Sequence, residues 1–169
     1  MTARYTGQPP PTLFIDMDGV LADFDAAYKA VTGWAPDKRL DNVDWREVVA
    51  RPGFYANLPP MPDALILWDF AANYALVRGY NIVILTGVPS SVPEAAADKR
   101  RWVNRHIGEH VPMIACRSRD KSKHAKAGDI LVDDWERYKD KWLAIGGIWI
   151  THTDAASSIA ALKELADES

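Results

Sequence analysis

Apolar residues along the chain come in two alternating patterns, and the alternation predicts a fold class before any single residue is considered. Short unbroken runs at Leu13-Phe14-Ile15, Asn81 to Leu85, Pro112 to Cys116, Asp129 to Asp134 and Ile148 to Thr151 suit strands covered on both faces of a sheet. Between them lie stretches with helical spacing. Ala26, Ala27, Tyr28, Ala30 and Val31 favour a short helix that Gly33 ends. Asp63 to Arg78 predicts a longer one, with Leu65, Trp68, Ala72 and Leu76 on one stripe and Gly79 as its stop. Ser91-Val92-Pro93-Glu94 has capping-box spacing and opens a helix through Trp102, Val103 and Ile107 to Gly108. Trp135 to Ile145, on the spacing Trp135, Tyr138, Trp142, and Asp154 to Asp167, with Ile159, Leu162 and Leu165 inward, complete the set. Strands alternating with helices require parallel pairing and right-handed crossovers, so the expected fold is a three-layer α/β/α sandwich of Rossmann-like type.

One segment departs from the alternation. Trp34 to Pro62 is rich in Pro, Asp and Trp, with one clear helix start at Asp44-Trp45-Arg46-Glu47, where Asp44 can cap and Glu47 reach back. It closes with Pro59-Pro60-Met61-Pro62, too many prolines for regular structure to continue. An insertion at about residues 33–62 of a single domain spanning 12–169 is therefore expected, with residues 1–11 as a flexible lead-in. The chain of 169 residues is long enough for one domain with a substantial core.

Charge and cysteine content narrow the partners. A net charge of −3 with interspersed signs gives no polybasic field, which argues against a long nucleic acid and leaves small phosphorylated ligands open. Cys116 stands alone, so no intrachain disulfide can form and a reducing, cytoplasmic setting is expected. No apolar run approaches the roughly 18 residues of a membrane span, and residues 1–11 lack the apolar core of a secretory signal.

Candidate chemistry sits where the strands end. The first run breaks into Asp16-Met17-Asp18-Gly19, two carboxylates that share a face if the extended conformation persists, and either could act as nucleophile, acid or base. Like charges about 4 Å apart repel by on the order of 4 kcal/mol at intermediate dielectric, and a divalent cation is the natural relief. The second run ends in Thr86-Gly87 and the fourth in Asp133-Asp134. In a parallel sheet such carboxyl ends open onto one crevice, which brings the three groups together. The stretch Arg117 to His124 holds Lys121 and Lys123, with Lys126 just beyond. If these carboxylates meet a small phosphorylated ligand, a cation must stand beside them, and this stretch is placed to supply it.

These residues resemble the haloacid dehalogenase-like superfamily in its phosphatase form. The resemblance rests first on D-M-D-G-V-L-A-D-F (Asp16 to Phe24), whose second Asp the dehalogenases themselves lack. It narrows to the 5'(3')-deoxyribonucleotidases through F-Y-A-N-L-P-P-M-P (Phe54 to Pro62), K-R-R-W-V-N-R-H-I-G (Lys99 to Gly108), R-D-K (Arg119 to Lys121) and D-I-L-V-D-D (Asp129 to Asp134). Two features depart from the family pattern. Gly87 stands where members often carry Ser after the Thr, and the lysine stretch is longer. Matching R-D-K favours Lys121 as the catalytic cation, whereas counting back from Asp133 favours Lys123.

The resemblance implies Asp16 as a nucleophile that forms an aspartyl phosphate and Asp18 as the proton shuttle, with Thr86, Gly87 and the lysine on the phosphoryl oxygens. It implies Mg²⁺ held by the Asp16 carboxylate, the Asp18 backbone carbonyl and Asp134, with Asp133 helping to hold the metal shell. The insertion takes the place of the superfamily's helical cap. Phe24, Phe54 and Tyr55, with Lys99 from the K-x-x-W-V piece, would bind the substrate. Trp34 and Trp45 add aromatic faces of the kind on which a nucleobase stacks, although most aromatic residues must build the core. The expected activity is Mg²⁺-dependent hydrolysis of (deoxy)ribonucleoside monophosphates. A phosphatase for another small phosphate ester, or a binding protein that kept the fold, is the alternative.

Overall fold

The computed structural model describes residues 9–37 and 42–167. Residues 1–8 of the expected lead-in and 38–41 of the expected insertion lie outside them. Five parallel strands, β1 (Thr12–Ile15), β2 (Asn81–Gly87), β3 (Met113–Cys116), β4 (Ile130–Asp133) and β5 (Ile148–Thr151), form one sheet in the order β3-β2-β1-β4-β5. Helices α1 (Phe24–Thr32), α2 (Trp45–Val49), α3 (Ala64–Arg78), α4 (Ala95–His106), α5 (Lys139–Ala144) and α6 (Ala155–Asp167) surround it. The architecture is the α/β/α sandwich that the alternation predicts.

β1 is central, and all of its residues are buried, as are those of β4. Phe14 pairs with Val83 of β2 on one side and Leu131 of β4 on the other. The strand order turns at β1, so its carboxyl end opens onto a crevice between the loops that follow its two neighbours. A large core cluster joins one face to α1, α3, α4 and α6. A smaller one gathers Phe14, Leu85, Leu131 and Trp142, with Phe14 edge-on to Trp142 at a centroid separation of 5.6 Å.

Three expectations change in detail. In α3 the buried residues are Ala64, Leu67, Trp68, Ala71, Tyr74 and Ala75, whereas Leu65 and Leu76 are 55% and 79% exposed. That helix is apolar around most of its circumference, so spacing alone does not select the inward face. α4 begins after the Ser91–Glu94 box, and Glu94 makes no side-chain cap. The single helix expected over Trp135 to Ile145 is a 3₁₀ turn (Glu136–Tyr138) followed by α5, and of its aromatic stripe only Trp142 is fully in the core.

The residues between α1 and α3 hold α2 and a 3₁₀ turn at Tyr55–Asn57. Asp44 caps α2, accepting from the Arg46 amide at 3.0 Å, while Glu47 pairs with Arg51 at 2.9 Å instead of reaching back. The returning end of the segment is pinned to the domain. The Asp23 amide donates to Pro59 O at 2.8 Å, the Met61 amide to Leu21 O at 2.9 Å, and the Trp102 indole to Leu58 O at 2.8 Å. No helix of the described residues is long and apolar enough to cross a membrane.

Candidate active site

β1 ends at Ile15, and the Asp16 amide donates to Val132 O at 2.9 Å, which keeps Asp16 at the lip of the sheet. The chain then coils tightly, with the Leu21 and Ala22 amides both donating to Met17 O at 2.8 Å. Gly19 makes the turn at φ +77°, and a Cβ there would collide with the Asp134 carboxylate. The extended conformation therefore stops short of Asp18. Each of the two acids instead has its own lysine.

Lys121 Nζ lies 2.8 Å from Asp16 Oδ1 and 2.7 Å from Asp133 Oδ2. Asp133 Oδ1 accepts the Trp135 amide at 2.8 Å. Burial opposes the Lys121 ammonium, but the Asp16 and Asp133 carboxylates outweigh it and hold the lysine pKa above its ordinary value. Burial raises the Asp133 pKa, Asp16 adds to that, and Lys121 pulls against both. Lys123 is exposed and pairs with Asp120 at 2.8 Å. The separation of the two lysines follows from the 3₁₀ segment Ser118–His124: residues three apart eclipse, so Ser118 and Lys121 share one side and Lys123 leaves it.

Lys99 comes from the other flank. It sits on the buried stripe of α4 with Ala95, Trp102 and Val103. Its Nζ donates to Asp18 Oδ2 at 2.7 Å, Thr86 Oγ1 at 2.8 Å and Gly87 O at 2.6 Å, which uses all three N–H groups. The Tyr55 ring centroid lies 4.7 Å from the same atom. Asp18 Oδ1 accepts no hydrogen bond from the described residues. Burial is the main cause that raises the Asp18 pKa; Lys99 opposes it and Asp16 reinforces it. Burial, with some help from Asp18, holds the Tyr55 hydroxyl pKa well above its usual value.

Carboxylate oxygens of Asp16, Asp133 and Asp134 come within 4.8 Å of one another. Three hard oxygen donors, with Asp134 only half-buried, fit a divalent cation that also keeps waters. The crowding that raises the Asp133 pKa is the charge such an ion would relieve.

Above the acids opens a cleft of about 520 Å³. Phe24, Trp45 and Tyr55 line one wall, Trp135, Arg137 and Tyr138 another, and Gly87, Ser118 and Arg119 also border it. Phe54 does not line it: this ring is 8% exposed and meets Phe24 edge-on at 5.6 Å. Lys99 and Thr86 are fully buried and hold the groups that border the cleft rather than bordering it themselves. The spacing Trp135, Tyr138, Trp142 predicts a core stripe, but Trp135 and Tyr138 border the cleft, as do Ser118 and Arg137, which no pattern in the sequence singles out. The paired acids just before Trp135 were a signal that its neighbours border the crevice.

The family profile described as "5' nucleotidase, deoxy (Pyrimidine), cytosolic type C protein" matches residues 10–158. A protein of Vibrio phage KVP40, provisionally named 5'(3')-deoxyribonucleotidase, is 30% identical over 132 residues, covering 78% of this chain and 71% of its own. A Bordetella bronchiseptica protein with the same provisional name is 29% identical over 143 residues, covering 72% of this chain and 73% of its own. The human 5'(3')-deoxyribonucleotidase, cytosolic type, is 27% identical over 150 residues, covering 72% of this chain and 69% of its own. Because the matched span takes in all four acids and both buried lysines, the chain belongs to the cytosolic type C family of deoxy (pyrimidine) 5' nucleotidases, and with it to the phosphatases of the haloacid dehalogenase-like superfamily.

Proposed function

We propose that the chain is a Mg²⁺-dependent phosphomonoesterase that dephosphorylates deoxyribonucleoside monophosphates through an aspartyl phosphate on Asp16. The observation that carries this is the separate pairing of two neighbouring acids with two buried lysines, at 2.8 Å for Asp16–Lys121 and 2.7 Å for Asp18–Lys99. A carboxylate and a phosphate repel as they approach, and Lys121 supplies the fixed positive charge between them. Asp16 attacks phosphorus in line, the bond from phosphorus to the nucleoside oxygen breaks, and Asp18 gives that oxygen its proton. Water then attacks phosphorus, Asp18 takes a proton from it, and the bond to Asp16 breaks to release inorganic phosphate. Asp18 must begin protonated. Its raised pKa suits that role, and Oδ1, the oxygen that Lys99 does not hold, is where the proton would sit.

Asp16, Asp134 and the Asp18 carbonyl would hold Mg²⁺, which when bound would neutralise phosphoryl charge. Asp133, whose oxygens accept from Lys121 and the Trp135 amide, would help to hold that metal shell. The Gly87 amide would meet a phosphoryl oxygen, and Thr86 would fix the strand end behind it. Residues 33–62 would serve as the cap. Phe24, Trp45 and Tyr55 offer rings for a nucleobase, and Phe54 backs Phe24. A cleft of about 520 Å³ has room for far more than a bare phosphate.

Phosphate release from deoxyribonucleoside and ribonucleoside monophosphates, ribose 5-phosphate and p-nitrophenyl phosphate, with Mg²⁺ and with chelator, tests the proposal. Preference for deoxyribonucleotides, lost on chelation, is the expected result. Equal rates on sugar phosphates would shift the substrate to another small ester, and no release from any ester would overturn the phosphatase itself.

A further inference from the structure

We infer, on the phosphatase reading above, that Ser118 binds a phosphoryl oxygen through its hydroxyl, occupying the place from which a side chain at position 87 would otherwise act. Gly87 closes β2 opposite Cys116 of β3, and the Val88 amide donates to Cys116 O at 2.7 Å. This pairing brings the start of the following segment down onto Gly87. A Cβ built on Gly87 would collide with Ser118 Oγ and lie 3.3 Å from Ser118 Cβ. Gly87 is not among the glycines with positive φ, so its backbone does not require glycine. What the absent side chain provides there is room for the Ser118 hydroxyl.

That hydroxyl makes no hydrogen bond to any described residue. Ser118 lines the cleft together with Asp16 and Gly87. It is also three residues before Lys121 on a 3₁₀ segment, and therefore on the side of the segment that carries the buried lysine. A hydroxyl with its donor to spare, against Gly87 on a residue that shares the cleft with the nucleophile, is suited to donate to a tetrahedral oxyanion such as a phosphate monoester. Departure from the family's Thr-Ser pair at 86–87 thus does not leave the site one hydroxyl short: the hydroxyl is delivered from the neighbouring loop.

Three variants test this: Ser118→Ala, Gly87→Ser, and the two combined. Initial rates are measured on p-nitrophenyl phosphate with Mg²⁺, together with inhibition by inorganic phosphate. Ser118→Ala should lower kcat/KM and weaken phosphate inhibition, each by about 10- to 100-fold, as for a lost hydrogen bond to a charged group. Gly87→Ser alone should also be impaired, because the added side chain meets Ser118. Gly87→Ser/Ser118→Ala should recover to within a few-fold of wild type, since the hydroxyl returns to the same volume from position 87, a recovery that a folding defect could not produce. A silent Ser118→Ala, or a double variant no better than Ser118→Ala, in an active wild-type background overturns the inference and leaves the phosphatase reading standing. A wild type that releases phosphate from no ester overturns both.

Discussion

Lys121 and Lys99 stand on opposite flanks of β1, the first toward β4 and the second toward β2, and each fixes one of the two acids that follow the strand. Lys121 touches two carboxylates, and that pairing raises its pKa against the cost of burial. Lys99 touches one carboxylate, a hydroxyl and a carbonyl, with the Tyr55 ring beside it. The β4 flank is therefore a centre of charge balance. The β2 flank is a joint, where one ammonium ties the proposed proton shuttle to the end of β2 and to the segment between α1 and α3. The same residue type, buried in both places, has different consequences because of what fills its three donor positions.

Removing the cation on the charge-balancing flank should have the larger kinetic effect. Lys121→Ala should lower kcat by at least about 100-fold, as for loss of a transition-state charge partner, while Lys123→Ala is nearly silent in the same assay. The reverse pattern would break the comparison.

Stability against pH distinguishes the flanks next. Asp133 has a raised pKa in the folded state, so over the window from its ordinary value up to that raised one the folded protein binds more protons than the unfolded chain. Its contribution then weakens as pH rises through the window and levels off above it. Without Lys121 only the Trp135 amide still opposes the raising influences. Lys121→Met should therefore lose on the order of 3 kcal/mol at neutral pH, the scale of an unpaired buried charge, and recover much of it on acidification. Lys99→Met strands a single acid and should cost less, with kcat down by roughly tenfold as the shuttle loses its orientation. Chemical denaturation of both variants at several pH values checks this.

Metal binding should also divide along the same line. In excess Mg²⁺, at about 100 times Kd, wild type should gain on the order of 2.7 kcal/mol by mass action, and Asp134→Asn should lose that gain while keeping its metal-free melting temperature. The most substrate-selective effect is expected at the rim. Phe24→Ala should lower kcat/KM for a deoxyribonucleotide by roughly 5- to 150-fold, as for a lost base stack, with p-nitrophenyl phosphate hardly changed. Phe54→Ala, which removes a ring behind Phe24, should impair both substrates together.

What the sequence could show follows from the physics of each element. Strand ends were legible because an apolar run that stops at a polar residue marks a carboxyl end, which gave Asp16, Thr86, Asp133 and Asp134. Choosing between Lys121 and Lys123 required knowing that the stretch is 3₁₀, with three residues per turn, rather than an open loop. Lys99 carried a signal of its own, a lysine on the stripe with Ala95, Trp102 and Val103, but nothing local reveals that its partner lies 81 residues away. α3 hid its inward face because Leu65, Ile66, Leu76 and Val77, all exposed, are as apolar as the residues it buries. Ser118 was illegible because its significance depends on the absence of a side chain on another strand.

Trapping the intermediate tests the central claim most directly. Wild type mixed with ³²P-labelled deoxyribonucleoside monophosphate and Mg²⁺, then quenched in acid within a turnover, should carry label on a single peptide, at Asp16, released by mild alkali or hydroxylamine as an acyl phosphate is. Asp16→Asn should fold as wild type does and carry none, with activity below about a hundredth of wild type. Full turnover with no labelled protein, or label on a residue other than Asp16, would contradict the account.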